Sequence, residues 1–254
     1  MIFDTHAHYD DHAFDEDREQ LLSELEQAGV EYIVNIGASM ASSKRSVELA
    51  DAYSFVYAAV GVHPDEVGEM NEEKFQQLKV LSEHQKVKAI GEIGLDYYWD
   101  KEKHDLQKYW FRRQMELAHE RKLPMIVHSR EAAKDTLDLV KEAKDLELSG
   151  IIHCYSYSVE QAREYLNMGY SLGIGGVLTF KNAKKLREVA EYAPLSRIVL
   201  ETDCPYLAPV PFRGKRNDSS KIIYVAEELA KIKQLSVDEV LRITNENAKK
   251  LYGI

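Results

Sequence analysis

Cysteine is scarce in this chain of 254 residues, which contains only Cys154 and Cys204. Two cysteines cannot make the disulfide framework of a small secreted protein, so a packed core has to hold the fold. No apolar run approaches the length of a membrane helix. The start, Met1-Ile2-Phe3-Asp4, also lacks the basic region and long apolar stretch of a signal peptide. Surplus positive charge is missing as well. Lys and Arg number 33 against 43 Asp and Glu, a net charge of −10, which argues against a general duplex-binding protein, because that affinity comes mainly from many phosphate contacts. An anionic substrate must therefore be attracted locally. There is no linker, no low-complexity tract and no repeat beyond an alternation of strand-like and helix-like segments. The expectation is a soluble, cytoplasmic monomer. At 254 residues it has the length of one (β/α)8 barrel forming a single domain.

That alternation is the main organising feature. Apolar β-type segments are expected at Ile2 to His8, Tyr32 to Ile36, Phe55 to Val60, Val87 to Ile93, Leu123 to Val127, Ile151-Ile152, Tyr170 to Ile174 and Ile198 to Glu201. Helix-period segments separate them, among them Asp15 to Gln27, Lys44 to Tyr53, Leu106 to Arg121 and Lys184 to Tyr192, with two more at Lys221 to Ile232 and Val237 to Leu251. Eight such alternations mean a barrel or a long doubly wound sheet.

Six residues of metal-ligating type lie near the C-terminal ends of five of these strands: His6 and His8, Glu92, His128, His153 and Asp203. The β period of two puts Asp4, His6 and His8 on one face, and adjacent in-facing imidazoles are costly in a core unless they share a partner such as an ion. In a barrel the C-terminal ends of all eight strands converge on one mouth, whereas the first and eighth strands of an open sheet need not meet. The distribution therefore predicts a TIM barrel with a metal site at that mouth.

Several motifs combine here. They are Asp4-Thr5-His6-Ala7-His8, Gly61-Val62-His63-Pro64, Gly91-Glu92-Ile93-Gly94-Leu95-Asp96, His128-Ser129-Arg130, His153-Cys154-Tyr155 and Glu201-Thr202-Asp203-Cys204-Pro205, with Arg213-Gly214-Lys215-Arg216-Asn217 behind. Together they resemble the TatD family of metal-dependent deoxyribonucleases over nearly the whole chain. The resemblance implies an amidohydrolase-type barrel with two divalent ions, hydrolysing DNA phosphodiesters, often 3′→5′ on single strands. It maps the ligands onto His6, His8, Glu92, His128, His153 and Asp203. The chain departs from the family pattern at Cys204 and at Asp218-Ser219, the latter expected on a substrate-side loop.

Chemistry suggests how the ligands divide. His6, His8 and Asp203 could hold one ion and His128 and His153 the other, with Glu92 between them, since a carboxylate has two oxygens to share and an imidazole only one lone pair for a metal. Asp203 then serves as ligand and general base, and Glu92 as the catalytic bridge. Nitrogen and oxygen ligands without thiolate suit Zn, Mn or Mg. Glu201 shares the face of Asp203 and is expected to orient a ligand. His63, Arg130, Lys181, Arg213, Lys215 and Arg216 follow strand ends and are expected to bind substrate at the mouth, with Tyr97-Tyr98-Trp99 available to stack on a base. Cys154 is expected to pack away from the ligands. The competing reading is an amidase or esterase of the wider superfamily, including an ester hydrolase acting on charged tRNA. A barrel kept only as an interaction scaffold would have lost ligands, and none is missing.

Overall fold

The computed structural model describes residues 1–99 and 102–254. One parallel sheet runs in the order β1-β2-β3-β4-β5-β6-β7-β8. The strands are β1 (Ile2–Ala7), β2 (Val30–Ile36), β3 (Val56–Val60), β4 (Val87–Asp96), β5 (Met125–Arg130), β6 (Gly150–Ile152), β7 (Ser171–Ile174) and β8 (Ile198–Leu200). The helices α1 (Arg18–Gln27), α2 (Met40–Ala52), α3 (Glu72–Leu81), α4 (His104–Arg121), α5 (Ala133–Glu142), α6 (Val159–Asn167) and α7 (Lys184–Tyr192) join successive strands, and α8 (Ile222–Lys233) and α9 (Val237–Tyr252) follow. The sheet closes just past β8, where the His8 N–H donates to the Cys204 carbonyl and the Asp203 N–H to that of His6, both at 2.9 Å. This is the TIM barrel. Among the described residues no helix is long and apolar enough to cross a membrane.

Alternation along each strand sorts the core into two shells. Phe3, Val34, Ile36, Ala59, Ala89, Ile126, Ile151 and Val199 fill the barrel, and Ala248 and Tyr252 of α9 plug its lower end. The opposite strand faces pack against the helices in one larger cluster. The interior is tight at β4: a Cβ on Gly91 would lie 2.6 Å from that of Ile126. Side chains cap four of the helices. Ser39, Asn71, Ser158 and Ser236 each accept a backbone N–H from the first turn of α2, α3, α6 and α9. Gly29 and Gly253, at φ 91° and 64°, follow the ends of α1 and α9.

Three local differences from the sequence reading bear on the mouth. The expected helix start at Asp15 falls in a turn that follows a 3-10 segment, His12–Phe14, capped by Asp11, and α1 begins only at Arg18. Strands β4 and β5 run on to Asp96 and Arg130, so Glu92 and His128 lie within strands rather than at their expected ends. The pairing of β1 with β2 is irregular between Asp4 and Ala7, which separates Asp4 from His6 and His8. Asp4 is wholly buried behind them and accepts from Thr202 Oγ1 at 2.6 Å and Ser219 Oγ at 2.7 Å. Ser219 thus buttresses β1 from behind, while the Asp218 carboxylate binds Ser220 and Lys221.

Candidate metal centre

At the C-terminal mouth, His6, His8, Glu92, His128, His153 and Asp203 come together from β1, β4, β5 and the ends of β6 and β8. His6 Nε2 and His8 Nε2 are 3.1 Å apart. Asp203 Oδ1 lies 3.4 Å from His8 Nε2 and 3.7 Å from His6 Nε2. Glu92, which follows a cis peptide bond, turns its two oxygens in different directions. Oε2 is 3.5 Å from His6 Nε2 and 3.9 Å from His8 Nε2. Oε1 is 2.8 Å from His128 Nδ1 and 3.8 Å from His153 Nε2. His153 stands between the two groups, its ring stacked on His6 with centroids 3.5 Å apart and Nε2 3.7 Å from Asp203 Oδ1. The triads His6/His8/Asp203 and His63/Glu92/His128 each bring one ligand atom per residue within 4.8 Å of the others, as do His6/His153/Glu201 and His63/Asp65/Asp96.

Oxygen atoms fix the outward side of most rings. His8 Nδ1 is 3.0 Å from the Ile36 carbonyl. His153 Nδ1 is 3.2 Å from Glu201 Oε2, and Glu201 Oε1 accepts the Cys154 N–H at 2.6 Å. His128 is turned the other way, with Nε2 3.0 Å from Asp96 Oδ2. His63 accepts the Asp65 N–H on Nδ1 at 3.2 Å, which leaves a ring proton on Nε2, 4.0 Å from Glu92 Oε1.

Charges follow from the packing. Burial works against the charged form of every group here. For His8 the contact with Asp203 and the charges of Asp203, Glu92 and Asp10 outweigh it and lift the ring to about 9. His128 reaches about 10 against the same cost, through Asp96 and Glu92. His153 reaches about 9 through the charges of Glu201 and Glu92. Glu92 and Asp203 are held below the usual carboxylate range, despite their own burial, by the surrounding histidines. His63 goes down to about 3, from burial and then the charge of His128, and stays neutral. A cation entering this group must therefore displace protons from imidazoles.

The mouth opens as a cavity of about 980 Å³ lined by His8, Glu92, His128, His153 and Asp203 together with His63, Asp65, Asp96, Trp99, Arg130, Asp10, Asp11, Arg18, Arg45 and Tyr206. The Arg130 guanidinium carbon sits over the Tyr98 ring, 4.1 Å from its centre, and 5.5 Å from that of Trp99. The other expected substrate residues are placed outside this lining. Lys181 is exposed, Arg213 covers the Phe180 ring at 4.5 Å, Lys215 is exposed on its loop, and Arg216 donates to Asp17 Oδ1 and the Ala13 carbonyl, each at 2.8 Å. Cys154 is half-buried beside His153, and Cys204 is fully buried. Asp96, Arg18 and Arg45 were not singled out from the sequence. Asp96 had a usable signal, since Glu92, Gly94 and Asp96 share a strand face once β4 extends past Ile93. Arg45 had none, because it reads as one more polar residue on α2.

The sequence profile of the TatD related DNases matches residues 3–253. The metal-dependent hydrolase YabD of Bacillus subtilis is 46% identical over 254 residues, all of both chains. The metal-dependent hydrolase YcfH of Escherichia coli is 32% identical over all of this chain and 96% of its own. Among solved structures, the TatD homolog YjjV from Escherichia coli superposes with a TM-score of 0.93 at 31% identity over 100% of this chain and 98% of that one.

Proposed function

The chain belongs to the family of TatD related DNases and is a metal-dependent hydrolase, and from that premise we propose that it cleaves phosphodiester bonds of DNA at a centre of two divalent ions, working 3′→5′ on single strands. The observation that carries this reading is the divided orientation of Glu92, whose Oε2 faces His6 and His8 while Oε1 faces His128 and His153. The donor set suits such ions: imidazole nitrogen and carboxylate oxygen, largely withdrawn from water and converging without thiolate, in keeping with Zn, Mn or Mg. His6, His8 and Asp203 would hold one ion, His128 and His153 the other, and Glu92 both. When bound, the ions acidify a water and neutralise charge on the phosphate.

The chain's own groups supply the rest. Asp203 is ionised at neutral pH and is the base that takes a proton from the attacking water. His63, neutral and carrying its proton on Nε2, donates that N–H to a phosphate or leaving-group oxygen. Arg130 and Arg45 line the mouth and attract flanking phosphates to an acidic protein, and Lys181, Arg213, Lys215 and Arg216, outside that lining, would meet only a longer strand. Exposed Trp99 and Tyr206 at the rim suit the faces of unpaired bases.

The test is hydrolysis of end-labelled single-stranded and duplex DNA by protein stripped with a chelator and reloaded with Zn, Mn or Mg, run beside amide, ester and charged-tRNA substrates. Metal-dependent shortening of the single strand from its 3′ end is expected. Turnover of esters or amides alone, or activity that survives chelation, would overturn the reading.

A further inference from the structure

Asp96 ends β4 with only 1% of its surface exposed, and both of its carboxylate oxygens are engaged. Oδ1 accepts the backbone N–H groups of Tyr98 at 2.8 Å and Trp99 at 3.0 Å. Oδ2 lies 3.0 Å from His128 Nε2. Its main chain is clamped as well: the Asp96 N–H donates to Gln107 Oε1 and Gln107 Nε2 donates to the Asp96 carbonyl, both at 2.9 Å. Gln107 is itself fully buried.

A carboxylate can only accept, so the His128 ring carries a proton on Nε2 toward Asp96, while Nδ1 faces Glu92 Oε1 at 2.8 Å, and an ion held between Nδ1 and Glu92 would take the place of a proton there and leave the Nε2 proton in the keeping of Asp96. His8 is held in the opposite sense, Nδ1 to the Ile36 carbonyl and Nε2 inward. Oδ1 of the same Asp96 folds the turn that presents Tyr98 and Trp99, and the Arg130 guanidinium rests on those two rings. Arg130 has no carboxylate partner among the described residues, so its donors stay available at the mouth.

We propose that Asp96 is a positioning residue that ties the two halves of this side of the mouth together: one oxygen turns His128 so that Nδ1 faces the ion shared with Glu92, and the other shapes the aromatic turn that holds Arg130 toward the substrate. This rests on the two-ion reading above. The coupling explains why an acid at the end of β4 is buried here with both of its oxygens engaged.

Two measurements test it. In wild-type protein loaded with Zn²⁺ and labelled with ¹⁵N-histidine, NMR should show His128 protonated on Nε2 and unprotonated on Nδ1, with His8 the reverse. A proton on His128 Nδ1 would overturn the proposal, and this readout needs no variant to fold. The second is Asp96→Asn. If the amide oxygen keeps the Tyr98 and Trp99 N–H groups, the NH2 faces His128 Nε2 and forces the ring proton onto Nδ1, where the ion should bind. Titration calorimetry of stripped protein with Zn²⁺ should then show one ion weakened by about 10- to 100-fold and the other unchanged. The oligonucleotide KM should rise too, whereas Arg130→Gln should raise KM with both ions kept. If wild type and Asp96→Asn bind two ions equally, this inference fails alone. If wild type binds none, the two-ion reading fails and takes this with it. If wild type takes a third ion that only Asp96→Asn abolishes, Asp96 is a ligand together with His63 and Asp65, and the positioning role is overturned.

Discussion

Glu201 fills the space that a side chain on Gly173 would need: a Cβ at position 173 would lie 2.2 Å from Glu201 Oε2. Gly173 lies between Leu172 and Ile174 of β7, which pack in the outer cluster, and its missing side chain lets the Glu201 carboxylate stand beside His153, 3.2 Å from Nδ1. The carboxylate end could swing away from an added methyl, but only by giving up the Cys154 N–H and the His153 ring. Gly173→Ala should therefore cost about 1–3 kcal/mol in stability and weaken divalent-ion binding about 10-fold or more. Thermal melts and metal titration measure the two effects. Ion binding at wild-type strength would remove Glu201 from any orienting role.

Glu92→Ala should lose both ions and reduce hydrolysis by several orders of magnitude, because the residue facing both histidine groups is gone. Metal content by elemental analysis, read beside the rate, decides this. Loss of a single ion would mean that Glu92 serves one side only.

Asp203→Asn should retain the fold and much of the metal while lowering kcat more than it raises KM, since an amide oxygen can still ligate but cannot take a proton at neutral pH. Steady-state kinetics on a short oligonucleotide check it. A normal kcat would take Asp203 out of the proton transfer.

The raised histidines make a signed prediction for pH. In metal-free protein, His8, His128 and His153 have folded values of about 9, 10 and 9 against 6.5. Their stabilisation is complete below about pH 6.5 and is lost as pH rises through 9 to 10. Glu92 and Asp203 act oppositely, and their contribution is lost as pH falls below the usual carboxylate range. Stripped protein should therefore melt progressively lower from pH 7 to 10, by about 2–4 °C for each kcal/mol lost. Affinity for Zn²⁺ should rise over the same interval, because binding displaces those protons. Calorimetric scans with and without metal give both slopes, and a flat metal-free curve would contradict the charge state described for the centre.

Salt dependence separates the inner basic residues from the outer ones. Arg45, 3.8 Å from Asp10, and Arg130 line the mouth, whereas Arg216 lies outside it and donates to Asp17 at 2.8 Å. Neutralising Arg45 and Arg130 together should flatten the log-log salt slope of oligonucleotide KM by about 1.4, at about 0.7 for each single-strand phosphate contact. Neutralising Arg213, Lys215 and Arg216 should flatten it less. The reverse order would move the substrate path to the outer loop.

The alternation of strand and helix, the barrel and the convergence of six histidine and carboxylate residues were legible in the sequence because they depend on local periods. A ligand type recurring near successive strand ends points to the mouth before any contact is known. Partner choice was not legible, because it is made across long separations by barrel closure. His128 meets Asp96 across 32 residues, Asp17 takes Arg216 out of the outer basic run across 199, and Ser219 holds Asp4 behind β1 across 215. A strand irregularity between Asp4 and Ala7 breaks the period on which the same-face reading of Asp4 relied. The sequence by itself determined which residues could form a metal centre and at which end of the barrel. Only the tertiary structure decided which oxygen of Glu92 faces which histidine and which arginines line the mouth, because an orientation is set by neighbours that meet only when the sheet closes.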